Sequence, residues 1–421
     1  MTSITDFETM MSLDAPIASS ALPRWQRKQL QDRFIPCREA MDMQGANYKM
    51  NNDADSNILA FKNKAPEPVA MPKVLYTQKT ATAKVTRSIP SAPIRVLDAP
   101  DMLDDYYLNL LSWGTNNVLA VALAQTVYLW EASTGSITEL FTLEDDNDYV
   151  CSVQWIQEGG SHIAVGTASS QVMLWDAQAC KQVRSMDGHS ARVGALAWNK
   201  HILSSGSRDT TVINHDVRVQ EHKVALLRGH TQEVCSLAWN QDGDILASGG
   251  NDNVLNLWEA SVPEGRFNST PKYQKVEHQA AVKALAWCPF EKNLLASGAG
   301  TADKCIKFWN ANTGALLNSI DTGSQVCSLQ WSTTAKEIVS SHGYAENEIC
   351  LWSYPTMAKI KELKGHTSRV LHTAVSPDGQ TIVSAAADET LRFWSVFAAP
   401  AQKKAGKISS GLKGARSLNI R

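Results

Sequence analysis

The chain has 421 residues, 43% of them hydrophobic and 19% charged, with a formal net charge of -2. Such a balance supports a sizeable buried core, as one large domain or two ordinary ones, and gives no overall bias toward nucleic acid. No apolar run follows a basic cluster near the start and no stretch of about 18 apolar residues occurs, so the sequence predicts a soluble intracellular protein without signal peptide or membrane span.

Cys37, Cys151, Cys180, Cys235, Cys288, Cys305, Cys327 and Cys350 are scattered singly, with no C-x-x-C pair, and read as reduced core residues rather than metal ligands or redox partners. Residues 1–93 are rich in Pro, Asn, Asp, Lys and Met and show no sustained periodicity, which predicts a disordered region. Short apolar islands inside it are candidate docking motifs: Asp32 to Arg38 (DRFIPCR), Asn57 to Phe61 (NILAF) and Lys73 to Tyr76 (KVLY).

From Leu108 onward the chain repeats one unit, clearest at Arg228 to Glu259. Three short strands are expected there, Val234 to Trp239, Ile245 to Ser248 and Val254 to Trp258, separated by the turns Gln241-Asp242-Gly243 and Gly249 to Asn253. A Gly-His pair opens the unit and a tryptophan closes it, the pattern of a WD repeat. Trp113, Trp155, Trp198, Trp239, Trp287 and Trp331 end a first strand; Trp130, Trp175, Trp258, Trp309, Trp352 and Trp394 end a third. His215 and Val375 fill the two gaps in this grid, so the fold class predicted for residues 94–397 is all-β, a seven-bladed WD-repeat β-propeller.

Six residues before the closing Trp, or before His215, stand Asp209, Asp252, Asp303, Asp388 and, in the sixth repeat, Glu346; the first two repeats have Ala124 and Ser169. Gly188-His189, Gly229-His230 and Gly365-His366 precede their repeats. The expected arrangement is a buried relay in which His reaches the turn carboxylate and the indole packs against it. Recurrence argues against catalysis, because an active site occurs once. No nucleophile, phosphate loop or metal spacing stands apart from the repeats, so neither enzyme activity nor a cofactor is expected.

The seventh repeat lacks an outer strand of its own, since Ala398-Ala399-Pro400 and a basic tail follow Trp394. An unpaired edge would be exposed there. The apolar alternation at Ile94 and Val96 is expected to supply the missing strand and close the ring. The tail, 398–421, reads as a flexible basic arm ending in Ile420-Arg421.

DRFIPCR, the terminal Ile-Arg pair and the seven repeats between them resemble the Fizzy, or cell division cycle twenty, type of activator of the anaphase-promoting complex, a ubiquitin ligase. Leu97-Asp98-Ala99-Pro100, Asp105-Tyr106-Tyr107-Leu108-Asn109, HSARVGALAWN from His189 and GGNDN from Gly249 extend the resemblance, which covers nearly all of residues 70 to 396. Tyr106-Tyr107 and the KVLYTQK run resemble Fizzy more than Fizzy-related.

This resemblance implies a non-enzymatic substrate adaptor found in nucleus and cytoplasm, with ligase subunits, cyclin-like substrates and mitotic checkpoint proteins as partners, and neither nucleic acid nor membrane among them. Asp32, Arg33, Phe34, Ile35, Pro36 and Arg38 would dock on the ligase as a C-box, with Phe34 where many relatives have Tyr. Ile420 and Arg421 would fill a second ligase groove. Asn57 to Phe61 stands at the family's checkpoint-protein motif without its usual basic residues. The Lys-Glu-Asn degron would be read by Asp105, Tyr106, Asn251, Asn253, Thr301, Gln325 and Arg369, and the destruction box, Arg-x-x-Leu, by Leu97, Asp98, Trp130 and Glu389. Strand geometry independently sends the turns carrying the first set to one mouth of the central channel, where Asp105 suits a lysine and Arg369 a glutamate. A generic propeller scaffold outside the ligase is the competing reading.

Overall fold

The computed structural model describes residues 87–260, 270–344 and 346–397. The C-box, the other N-terminal islands and the Ile-Arg tail lie outside them. The described chain forms seven four-stranded sheets, each antiparallel with neighbours in chain order, apart from the last. Blade four shows the local logic: Val234–Trp239, Ile245–Gly250, Leu255–Glu259 and Tyr273–Lys275. Its first three strands match the expected ones within two residues. Their sides are buried between neighbouring blades on both faces, which explains near-continuous apolar and small residues instead of strict alternation.

Ring closure follows the expected route. Arg95–Asp98 pairs antiparallel with Thr390–Ser395, placing Val96 opposite Arg392 and Leu97 opposite Leu391, and so becomes the outer strand of blade seven. Its apolar logic differs from the sequence reading: Ile94 and Val96 are 60% and 48% exposed, while Leu97 packs on the core. An outer strand has only one inward face, and register gave that face to Leu97. Arg87 adds a clasp, with a two-pronged ion pair to Glu337 and an Nε bond to the Val396 carbonyl at 3.0 Å. The seam core joins Phe393 of blade seven to Trp113 and Trp130 of blade one, with the Phe393 and Trp130 rings 4.8 Å apart.

The polar relay exists and contains a member absent from the sequence reading. In blade four Trp258 Nε1–H donates to Ser248 Oγ at 2.8 Å, Ser248 lies 2.7 Å from His230 Nε2, and His230 Nδ1 lies 3.1 Å from Asp252. Donor counting sets the direction. The indole can only donate, so serine spends its lone O–H on His Nε2, leaving Nδ1–H for the carboxylate. The same chain links Trp309, Ser297, His278 and Asp303, and Trp394, Ser384, His366 and Asp388. His278 follows Glu277 rather than glycine, so the Gly-His pattern misses it. Burial opposes ionisation of Asp252, but hydrogen bonds from His230 and backbone N–H groups overcome it and hold the carboxyl below its usual range.

Other blades vary the relay. In blade two the ends are exchanged: Asp148, ahead of the first strand, accepts from the Ser169 hydroxyl at 2.6 Å. In blade three His215 replaces the indole and bonds Ser205 at 2.8 Å, with His222 behind it at 2.9 Å. In blade six Glu346 is not the turn carboxylate expected. Its side chain is 60% exposed and pairs with Lys364, whereas His342 from the second strand takes the Ser340 contact. Two cysteines also depart from expectation: Cys180 is exposed in a turn and Cys305 is half-buried.

Candidate peptide-binding site

The innermost strands of blades two to seven all break register near their start, leaving Cys151, Gly194, Cys235, Lys283, Cys327 and Leu371 without cross-strand partners. A bulge of this kind frees main-chain groups at the wall of the channel. Those groups receive the segment Asp104 to Leu110, which crosses the mouth before blade one begins. The main-chain N–H of Asn109 donates to the Cys151 carbonyl at 3.0 Å. Its side-chain amide donates to the carbonyls of Gly194 at 2.6 Å and Cys235 at 3.0 Å. Lys283 donates to the Leu108 carbonyl. Tyr106, 6% exposed, donates its hydroxyl to the Val326 carbonyl at 2.9 Å. One short segment thus touches blades two to six, and Asp104 meets Arg369 at the start of blade seven.

Around this plug the polar side chains form two groups. On one side Arg192 bonds Asp105 at 2.7 Å and grips Glu233 through Nε and Nη2 at 2.8 and 2.9 Å, while Tyr107 donates to Asn251 Oδ1 at 2.8 Å. On the other, Arg369 pairs with Asp104, donates from Nη2 to the Asp104 carbonyl at 2.7 Å and from Nη1 to the Tyr344 hydroxyl at 2.9 Å, and lies over the Tyr344 ring. Gln325 is buried beside it. A Cβ on Gly343 would stand 2.5 Å from Arg369 Cβ and 3.3 Å from Gln325 Oε1, so only glycine admits both neighbours. Asn253, at φ +64, and exposed Thr301 occupy the corresponding turns of blades four and five, and no hydrogen bond joins them to the rest among the described residues.

Of the expected degron readers, Asp105, Asn251, Gln325 and Arg369 are tied to the mouth, directly or through the crossing segment. Tyr106 is the plug itself, its hydroxyl engaged below; burial raises its ionisation well above the usual range. Arg192, Glu233, Tyr107, Asp104 and Tyr344 complete the arrangement; Tyr107 and Arg192 stood in runs that carried the family resemblance, but none of the five was expected as a degron reader, because their partners are far away along the chain.

Leu97, Asp98 and Trp130 line a 360 Å³ cleft between blades seven and one, together with Ala99, Val121 and Leu391. Its floor is apolar and Asp98 supplies an exposed carboxylate. Glu389 stands outside the lining but next to it, exposed at φ +58, with its carbonyl accepting from Ala99 N–H at 2.7 Å.

Fold and site together define a propeller scaffold with a polar, charge-bearing mouth and a separate apolar cleft with an acid beside it, suited to short extended peptides. The profile of the CDC20/Fizzy WD40 domain matches residues 97–394. The chain belongs to the CDC20/Fizzy family, as its motifs suggested, and is a scaffold rather than an enzyme. It is 54% identical to the anaphase-promoting complex subunit cdc20 of Dictyostelium discoideum, over 86% of this chain and 75% of that protein. Against cell division cycle 20.1, cofactor of APC complex, of Arabidopsis thaliana, it is 48% identical over 94% of each. FIZZY-RELATED 3 of Arabidopsis thaliana is 55% identical over 75% of this chain and 64% of its own length. A chain in a crystal structure of a mitotic checkpoint complex superposes with a TM-score of 0.71 and 48% identity, covering 82% of this chain and all of that one.

Proposed function

We propose that this chain is a substrate-recognition adaptor and activator of the anaphase-promoting complex, holding degrons of cell-cycle proteins such as cyclins on its propeller. The observation that carries the reading is the convergence of Asp105, Asn251, Gln325 and Arg369 on one mouth, with Asp105 on one side and Arg369 on the other, held in ion pairs with Arg192 and Asp104 respectively. The adjacent lysine and glutamate of a Lys-Glu-Asn peptide find complementary partners there. The Leu97, Asp98 and Trp130 cleft suits the apolar and basic ends of a destruction box.

Relatives named as cdc20 align over more of this chain than the Fizzy-related one does, which favours the Fizzy branch. Ligase docking falls to the C-box and Ile420-Arg421, and the likeness to a chain of a checkpoint complex supports checkpoint proteins as further partners. Work in nucleus and cytoplasm accords with this role. The test is ubiquitination of a cyclin fragment by the purified ligase. Arg38→Ala and deletion of Ile420-Arg421 are each expected to lower the rate; unchanged rates with both would overturn the adaptor reading.

A further inference from the structure

Arg369 is the cation expected to receive the glutamate of a Lys-Glu-Asn degron, yet it already holds a carboxylate of its own chain. Its Nε pairs with the Asp104 side chain and its Nη2 with the Asp104 carbonyl, while Tyr344 takes Nη1 and lies under the guanidinium. Asp104 belongs to the crossing segment, whose neighbours Tyr106, Leu108 and Asn109 are pinned to the channel wall, so its carboxylate is presented from a fixed backbone. The two partners differ in exposure: the Arg369 side chain is 11% exposed and that of Asp104 is 56%. The cation is set into the mouth, and the anion lies over it at the solvent side, where an incoming peptide must arrive.

We infer that Asp104 is a specificity-determining residue of this site: an internal stand-in for the degron glutamate whose charge neutralises Arg369 and weakens capture of acidic peptides. The inference rests on the proposed location of the Lys-Glu-Asn site. A guanidinium carries five N–H donors, and three are engaged here, leaving two on the Nη groups for a second carboxylate. Binding therefore does not require the Asp104 contact to break, but it brings a second anion close to the first. Like charges around one cation oppose each other, by an amount set by an exposed, solvent-screened geometry. Asp104 also sits next to Asp105, the residue expected to attract the degron lysine. Its charge distinguishes the two ends of the peptide: it favours the lysine end and disfavours the glutamate end.

Asp104→Asn separates charge from geometry. Asparagine Oδ1 can still accept from Nε, the main-chain carbonyl contact is untouched, and only the negative charge is lost. Fluorescence anisotropy of the full chain with labelled Lys-Glu-Asn and Lys-Gln-Asn peptides reads the coupling. Asp104→Asn is expected to tighten the glutamate peptide relative to the glutamine peptide by about two- to five-fold, the range of an exposed charge pair, and the gain is expected to shrink at high salt. Equal effects on both peptides, or weaker binding of the glutamate peptide, while Arg369→Ala still abolishes the preference for glutamate, would overturn the role of Asp104 and leave the site standing. If wild type shows no preference for glutamate and Arg369→Ala changes nothing, the site itself is misplaced and the inference falls with it.

Discussion

Lys283 offers a quantitative test of how the crossing segment is held. It is 4% exposed, its ammonium donates to the Leu108 carbonyl and lies 5.6 Å from the Tyr106 ring centroid. Burial drags its pKa from 10.5 to about 8, against the pull of the nearby Asp105 carboxylate. The unfolded chain therefore binds a proton more tightly than the folded one, and stability from this group rises with pH between about 8 and 10.5. At 1.36 kcal/mol per pKa unit, the shift costs about 3 kcal/mol at pH 7, and about half of that remains near pH 9.5. Lys283→Met removes the titration. It also leaves the Leu108 carbonyl without its donor, at about 1–3 kcal/mol, but that loss is independent of pH. The variant is thus expected to lose about 1–2 kcal/mol relative to wild type as pH goes from 7 to 9.5. Urea unfolding followed by tryptophan fluorescence at both pH values measures it. The buried thiols, with Cys327 pushed up to about 12, titrate in both proteins and largely cancel from the difference. A gap between the two proteins that stays constant with pH would refute a charged, desolvated Lys283.

The relay predicts a contrast between buried and exposed positions. Ser248→Ala strips the hydroxyl from both Trp258 Nε1 and His230 Nε2 and is expected to cost about 2–4 kcal/mol, whereas Glu346→Ala, on the surface, should lie within about 0.5 kcal/mol of wild type in the same urea assay. Asp98→Ala is expected to weaken destruction-box peptides several-fold and spare Lys-Glu-Asn peptides; equal loss of both in a titration would argue against two separate sites.

Repetition made most of the fold legible. Tryptophan spacing located the blades, and even the substitution of His215 for an indole was readable because its neighbours kept phase. The relay was only half visible. Ser205, Ser248, Ser297 and Ser384 sit among other small strand residues with nothing local to mark them, and Asp148 and Ser169 exchange roles across a blade where a position-by-position comparison expects a carboxylate in the turn. The candidate site was legible as a set of turn residues, but not as a network. Neither Arg192 with Glu233 nor Asp104 with Arg369 is close in sequence, the latter pair being separated by 265 positions.

The sequence by itself determined that each unit cannot bury its own faces and must stack, and that a strand borrowed from before the first unit must complete the last. Only the tertiary structure decided that the bulged inner strands would offer free main-chain groups to a segment laid across the channel, and that Leu97 rather than Val96 would face inward. Strand periodicity is a property of neighbours along the chain. Which carbonyl meets Asn109 and which carboxylate meets Arg369 depends on closing the ring, and ring closure brings together residues from opposite ends of the fold.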